Sequence, residues 1–304
     1  LLISTQNGFD NVELRGGAAL IQPGAPRVPR VVEAVAIPAG AVPVGVEITA
    51  QEWVTLPGTY NVGPAQADLP LPMPGKTFTP KLFPPDPTIY GSSEAYPKMV
   101  AMLTGSGTMA GYRIAHVELH PVRYIPTTGQ LQIATRLSYR LEYANGASSV
   151  VATTEQKTAF GDMVRSLVAN PEDVNRYAPR VRAASSFTLP AGHYEYVVVT
   201  ETPMDSVFQR LADWKTLKGV PGNVVLVSWI SANYTGYDLQ EKVRNFIKDA
   251  YATWGTMYVL LGGQGDPGSS GQNIIPTRYA NYSGQGDEPC DLYYAGLDGN
   301  WDSN

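Results

Sequence analysis

One cysteine, three histidines and a charged fraction of only 16% set the limits on this chain of 304 residues. The single thiol, Cys290, excludes an internal disulfide framework and a cysteine-based structural zinc site. Basic runs are missing and the net charge is −5, which argues against nucleic acid as a partner. No apolar stretch approaches the length of a membrane span, so no transmembrane segment is expected. The opening LLISTQNGFD lacks the charged start and apolar core of a signal peptide, and any such peptide is expected to have been removed. Glycine and proline are plentiful, at 30 and 25 residues, which suits turn-rich β-structure with long ordered loops.

Two halves follow different patterns, and the fold class expected is a two-domain α+β chain. Residues 1–150 read as strands: VVEAVAIPAGAVPVGVEITAQEWVTL and GYRIAHVELHPVRYIPTTGQLQIATRLSYRLEY alternate β-branched residues with turns, pointing to a β-sandwich-like domain. PTTGQ at 126–130 marks a hairpin or tight arch. The proline-laden passage 64–97 lacks the donors of a central strand and is expected to drape as an extended segment. Residues 151–193 form a connector with a helical period at Phe160, Val164 and Leu167. From residue 194 to 304, YEYVVVT, PMDSVFQRLADWKTLKG, NVVLVSW, TGYDLQEKVRNFIKDAYATWG and MYVLLGG alternate strand and helix. That order, βαβαβ, opens a doubly wound, Rossmann-like sheet.

The chemistry-bearing motifs are sparse. Gly263, Gly265 and Gly268 match G-x-G-x-x-G, but they follow the third strand and lead into loop, not into a helix that would aim amides at a pyrophosphate. No organic cofactor is expected. His116 and His120 fall on one face of a strand and read as surface or packing histidines. Cys290 sits among Asp287, Glu288 and Asp291, surroundings that do not mark it as a nucleophile. Asp298, Asn300, Asp302 and Asn304 recur at every second residue, as in the opening of a calcium loop. A complete loop needs roughly twelve residues, and a polar turn is the other reading of these oxygens. Arg180 and Arg182 lie in PRVRAASSFTLPAGH, either a protease-accessible linker or a plain tether, and Asn304 is a further candidate break point.

YVVVT (196–200), LADWKTLKG (211–219), VRNFIKDAY (243–251), YVLLGG (258–263), IIP (274–276) and CDLYYAGLDG (290–299) resemble, in order and spacing, the gingipain-type cysteine peptidase family. The first half is similar to the β-rich propeptide of the same family. Gln264 departs from the family's usual Asp, with Asp266 two residues on. The resemblance implies a secreted cysteine endopeptidase zymogen acting on protein or peptide substrates, with calcium as a candidate ion. Its peptidase unit would be caspase-like, in two subdomains, of which this chain carries the first. The catalytic His and Cys are then expected beyond Asn304, on a remainder that is either a separate docked chain or a further segment. No catalytic residue is assigned within these residues, and the chain alone is expected to be inactive. Lys81 and Lys98 in the proline passage are candidates to probe a specificity pocket. A non-catalytic extracellular adhesion or assembly module on the same fold is the alternative.

Overall fold

The computed structural model describes residues 1–67, 81–146, 152–180, 189–265, 274–282 and 286–297. Two compact units account for the chain. The first comprises Leu1–Gly107, Arg113–Gly146 and Leu167–Asp173; the second comprises Thr108–Tyr112, Ala147–Ser166 and Val174–Asn304.

In the first unit, β1 (Leu2–Gln6) and β2 (Phe9–Glu13) form an antiparallel hairpin. After β3 (Ala18–Ala19), β4 (Pro29–Ile37) and β5 (Val42–Thr55) comes a single-turn helix, α1 (Pro87–Tyr90), capped by the Asp86 carboxylate. Then follow β6 (Ala101–Met109), β7 (Tyr112–Leu119), β8 (Val122–Ile125) and β9 (Gln130–Ala144). The strands make one sheet ordered β3-β4-β7-β6 and another ordered β5-β9-β8, with the turn at 126–130 joining β8 to β9. Alternation places Val31, Val35, Ala101, Val117 and Leu119 of the first sheet in one cluster with Val46, Ile48, Tyr139 and Leu141 of the second. The long β5–β9 ladder shifts register at three places, and such bulges twist an exposed edge away from pairing with other chains.

The histidine pair departs from the single-face expectation. β7 ends at Leu119, so its alternation no longer governs His120. His116 is exposed, whereas His120 is buried, with Nδ1 2.6 Å from the Met99 carbonyl and Nε2 2.9 Å from Glu118 Oε1. Arg30 donates to the other Glu118 oxygen. Burial pushes the Glu118 carboxyl upward, but the hydrogen bonds from His120 and Arg30 outweigh it and leave the group below the usual range.

In the second unit, α2 (Thr154–Leu167, its last residue assigned to the first unit) buries Gln156, Gly161 and Val164. The sheet strands are β10 (Tyr196–Thr200), β11 (Gly222–Leu226) and β12 (Tyr258–Leu261), parallel and ordered β11-β10-β12. Central β10 buries Val197, Val198 and Val199 completely, as a parallel strand covered on both faces must. The crossovers carry α3 (Asp205–Leu217), the short α4 (Val227–Asn233) and α5 (Leu239–Trp254). Asp238 caps α5 through the Glu241 amide, and Gly255, at φ 75°, ends it in the left-handed conformation that glycine tolerates. β13 (Tyr279–Tyr282), β14 (Gly286–Pro289) and α6 (Leu292–Ala295) complete the elements.

NVVLVSW, read as one strand, divides: β11 stops at Leu226 and α4 starts at Val227. The helix is initiated by a distant side chain, because Glu201 Oε2 accepts the Ser228 amide at 2.7 Å. Gln156 ties α2 in. Its Oε1 accepts from the Thr153 amide, and its Nε2 donates to the carbonyls of Tyr251 and Thr256 at 2.9 and 3.0 Å.

Replacing Glu118 by Gln is expected to destabilise the chain by about 3 kcal/mol near neutral pH, since one partner of a buried charged cluster is lost. A carboxyl depressed in the fold contributes stability that is complete above its unfolded pKa of about 4.3 and is lost as pH falls through the lower native value. The wild-type advantage over Glu118→Gln, measured by urea denaturation, should therefore shrink only on acidification. Gln156→Ala removes three hydrogen bonds, two of them buried, and should cost about 2–4 kcal/mol in the same measurement.

Candidate functional site

Open parallel sheets place their sites at the carboxyl ends of the strands, where loops diverge. In the second unit this edge is formed by Thr200 at the end of β10 and Glu201 after it, Ser228 after β11, and Gly262–Gly265 after β12. Thr200 Oγ1 donates to the Gly262 carbonyl at 2.5 Å, fixing the two loop starts side by side. A Cβ at Gly262 would lie 2.7 Å from the Phe208 ring, so only glycine lets this loop approach α3. The Gln264 carbonyl accepts the amides of Ile274 and Ile275 at 2.9 and 3.1 Å, and Thr277 Oγ1 donates to the Gly265 carbonyl. Glu201 accepts the amides of Thr202 and Ser228. Burial alone would raise its pKa, but the hydrogen bonds from Thr202 and Ser228 outweigh it and hold the carboxylate below the usual range.

A second cluster fixes the segment around Cys290. Arg278 Nη2 lies 2.9 Å from both oxygens of Asp238, and its guanidinium stacks 4.4 Å from the Tyr293 ring centre. Buried Arg244 faces the same ring at 5.2 Å and donates Nε to the Gly296 carbonyl at 2.9 Å. Tyr293 thus meets two guanidiniums, and the cation–π contact with Arg244 orients α6 against α5. The Tyr294 hydroxyl donates to the Pro276 carbonyl, and burial pushes its pKa well above the usual phenol value.

Beside these elements lies an apolar cavity of about 550 Å³. Ile247 and Tyr251 of α5, Val259 and Leu261 of β12, Phe160 of α2 and Leu292 of α6 line it. Val259 and Leu261 are two residues apart on β12 and so share the face that meets the cavity. Tyr251 is buried without a hydrogen-bond partner for its hydroxyl, and burial pushes its pKa up to about 12. Among the described residues β12 pairs only with β10, which leaves its other edge open.

The sequence-derived candidates do not converge on this edge. Asp298, Asn300, Asp302, Asn304 and Arg182 lie outside the described residues, as do Asp266 and Gly268. Arg180 is exposed, and its carbonyl accepts the Ala152 amide at 3.1 Å. Lys81 is exposed with Nζ 5.2 Å from the Phe83 ring centre, and Lys98 pairs with Glu94 at 3.2 Å. Cys290 is half-buried, its amide donating to the Arg278 carbonyl. His193 is exposed, 3.2 Å from Glu195. Among the described residues no three His, Cys, Asp or Glu side chains gather as a metal site, and no helix is long and apolar enough to cross a membrane. Glu201, Tyr251 and the Arg244–Tyr293–Arg278 stack carry no short sequence motif; only the spatial meeting of distant segments reveals them.

The profile of Peptidase family C25 matches residues 189–304, and that of the family's propeptide, Propeptide_C25, matches residues 3–178, more than half the chain. The chain belongs to peptidase family C25. Membership of this gingipain-type family implies cysteine-peptidase hydrolase chemistry and a propeptide that accompanies a mature domain in the same peptidase. Two solved structures are similar. One, described as a complex of Porphyromonas gingivalis RgpB pro- and mature domains, has a TM-score of 0.42 at 19% identity, covering 52% of this chain and 78% of the other. The other concerns zymogenic latency of gingipain K from Porphyromonas gingivalis, with a TM-score of 0.38 at 22% identity, covering 48% and 81%. No curated protein matches the chain.

Glu201→Ala should uncap α4. Amide exchange at Ser228 is expected to rise about ten-fold or more in hydrogen–deuterium exchange, for a loss of about 1–2 kcal/mol locally. The β4–β7 ladder should be unchanged.

Proposed function

We propose that these residues carry the propeptide and the first peptidase subdomain of a secreted gingipain-type cysteine endopeptidase in its zymogen form. The observation that carries this reading is the succession, on one chain, of the C25 propeptide and C25 peptidase matches. The first unit is the propeptide's β-sandwich-like domain, and the three-stranded sheet of the second is the start of a caspase-like subdomain. The catalytic His and Cys belong to the second subdomain, beyond Asn304. There a thiolate attacks the peptide carbonyl, the imidazole takes and returns the proton, and backbone amides hold the oxyanion. The present chain alone is inactive, because it carries neither the His-Gly phrase nor the strand-end Cys of the family's dyad.

The open edge of β12 and the apolar cavity beside it are where the remainder of the peptidase docks. An added strand would hydrogen-bond to β12 and send alternate side chains toward Val259 and Leu261. Arg180, Arg182 and Asn304 are processing candidates. Asp298, Asn300 and Asp302 are a candidate calcium site on the segment that Arg244 holds at Gly296. Lys81 and Lys98, both exposed, are candidate pocket-probing residues of the propeptide.

Peptide hydrolysis by the 304-residue chain, by the full-length polypeptide and by a full-length form lacking residues 1–178 tests the reading. The first two should be silent or weak, and the third active toward peptide substrates. Hydrolysis by the 304-residue chain that disappears in Cys290→Ala would place the nucleophile here and overturn the assignment.

A further inference from the structure

α3 has one face committed to the sheet. Its Ala212 is completely buried, and a Cβ at Gly222 of β11 would lie 2.7 Å from the Ala212 carbonyl, so helix and strand are in close contact. The opposite face is unusual for a helix in water. Val207, Trp214 and Leu217 are 64%, 51% and 86% exposed, and their spacing of seven and three residues puts them on one stripe. Arg210 is exposed on the same stripe. At the helix end, Lys215 Nζ lies 4.9 Å from the Tyr196 ring centre and 5.6 Å from that of Trp214, and Lys218 Nζ lies 5.6 Å from Trp214. Tyr258, opposite Tyr196 in the β10–β12 ladder, is also exposed.

Trp with flanking Lys and Arg is the composition of a surface that sits at a lipid headgroup boundary. The indole spans the polar and apolar layers, while the long basic stems lie along apolar surface and keep their charges at the phosphates. Residues 205–218 carry three cations (Arg210, Lys215, Lys218) against two acids (Asp205, Asp213), a local excess of one positive charge in a chain of net charge −5. Asp213 is already engaged by Gln209 Nε2 at 2.8 Å. Anionic headgroups complement this local positive excess.

We propose that the outer face of α3 is a peripheral docking surface for an anionic lipid layer, with Trp214 and Leu217 entering the headgroup region and Arg210, Lys215 and Lys218 at the phosphates. Co-sedimentation of the intact chain with phosphatidylcholine vesicles, with and without phosphatidylglycerol, tests it. The chain should sediment with the phosphatidylglycerol-containing vesicles only, and added salt should weaken the association. Trp214→Ala with Leu217→Ser, and separately Lys215→Glu with Lys218→Glu, should each lower partitioning about ten-fold or more. Circular dichroism should show native folding for both, because Trp214, Leu217 and Lys218 are exposed and Lys215 is only half-buried. Trp214→Phe should keep most of the binding. Equal partitioning onto purely zwitterionic vesicles, no partitioning onto either, or loss of partitioning in favour of a concentration-dependent dimer in sedimentation velocity would each overturn the proposal.

Discussion

The second unit depends on one buried amide. A helix leaves its last four carbonyls without intrahelical donors, and when the helix end is buried those oxygens need partners from elsewhere. At the end of α5 the partner for the Tyr251 carbonyl is Gln156 of α2, which also holds the Thr256 carbonyl at the approach to β12. Beside it, the Tyr112 hydroxyl donates to the Lys157 carbonyl at 2.9 Å, and a Cβ on Gly161 would lie 2.8 Å from that hydroxyl. α5, α2 and residues 108–112 therefore set one another's positions through groups that cannot be returned to water without cost.

The boundary of the compact units and the boundary of the family matches consequently differ. The propeptide match runs to residue 178, yet Thr108–Tyr112, Ala147–Ser166 and the residues from Val174 onward belong to the unit that holds the peptidase sheet. A cut between residues 178 and 189 would sever covalent continuity inside the second unit, not between the two units. Ala152 and Val174, both buried, and Gln156, which donates to the Tyr251 and Thr256 carbonyls, lie on the propeptide side of such a cut. Their burial opposes release, so cleavage and dissociation are separate events in this architecture.

Much of the α/β half is legible in sequence because its signals are local. The apolar runs of β10 and β12, the capping Asp238 and the terminal Gly255 of α5 each announce their element within a few residues. The division of NVVLVSW escapes such reading, since the group that starts α4 is Glu201, far upstream in the chain. His120 illustrates the same limit. Alternation assigns it a face only while β7 continues, and its burial follows from Glu118, Arg30 and Met99 meeting at the strand end. At the candidate site, Gly263 and Gly265 are visible as a glycine cluster, but the Arg244–Tyr293–Arg278 stack joins α5, the segment before β13 and α6. No window of sequence contains all three.

Limited trypsin digestion in the 178–189 connection, followed by native gel filtration and intact-mass spectrometry of the eluted peak, tests this account most directly. The account predicts a nicked protein whose two fragments elute together under native conditions and separate only in denaturant, with earlier separation in Gln156→Ala. An amino-terminal fragment that elutes alone from the intact-sequence protein, leaving residues 189–304 folded without it, would contradict the claim that the propeptide's last helix is part of the peptidase unit.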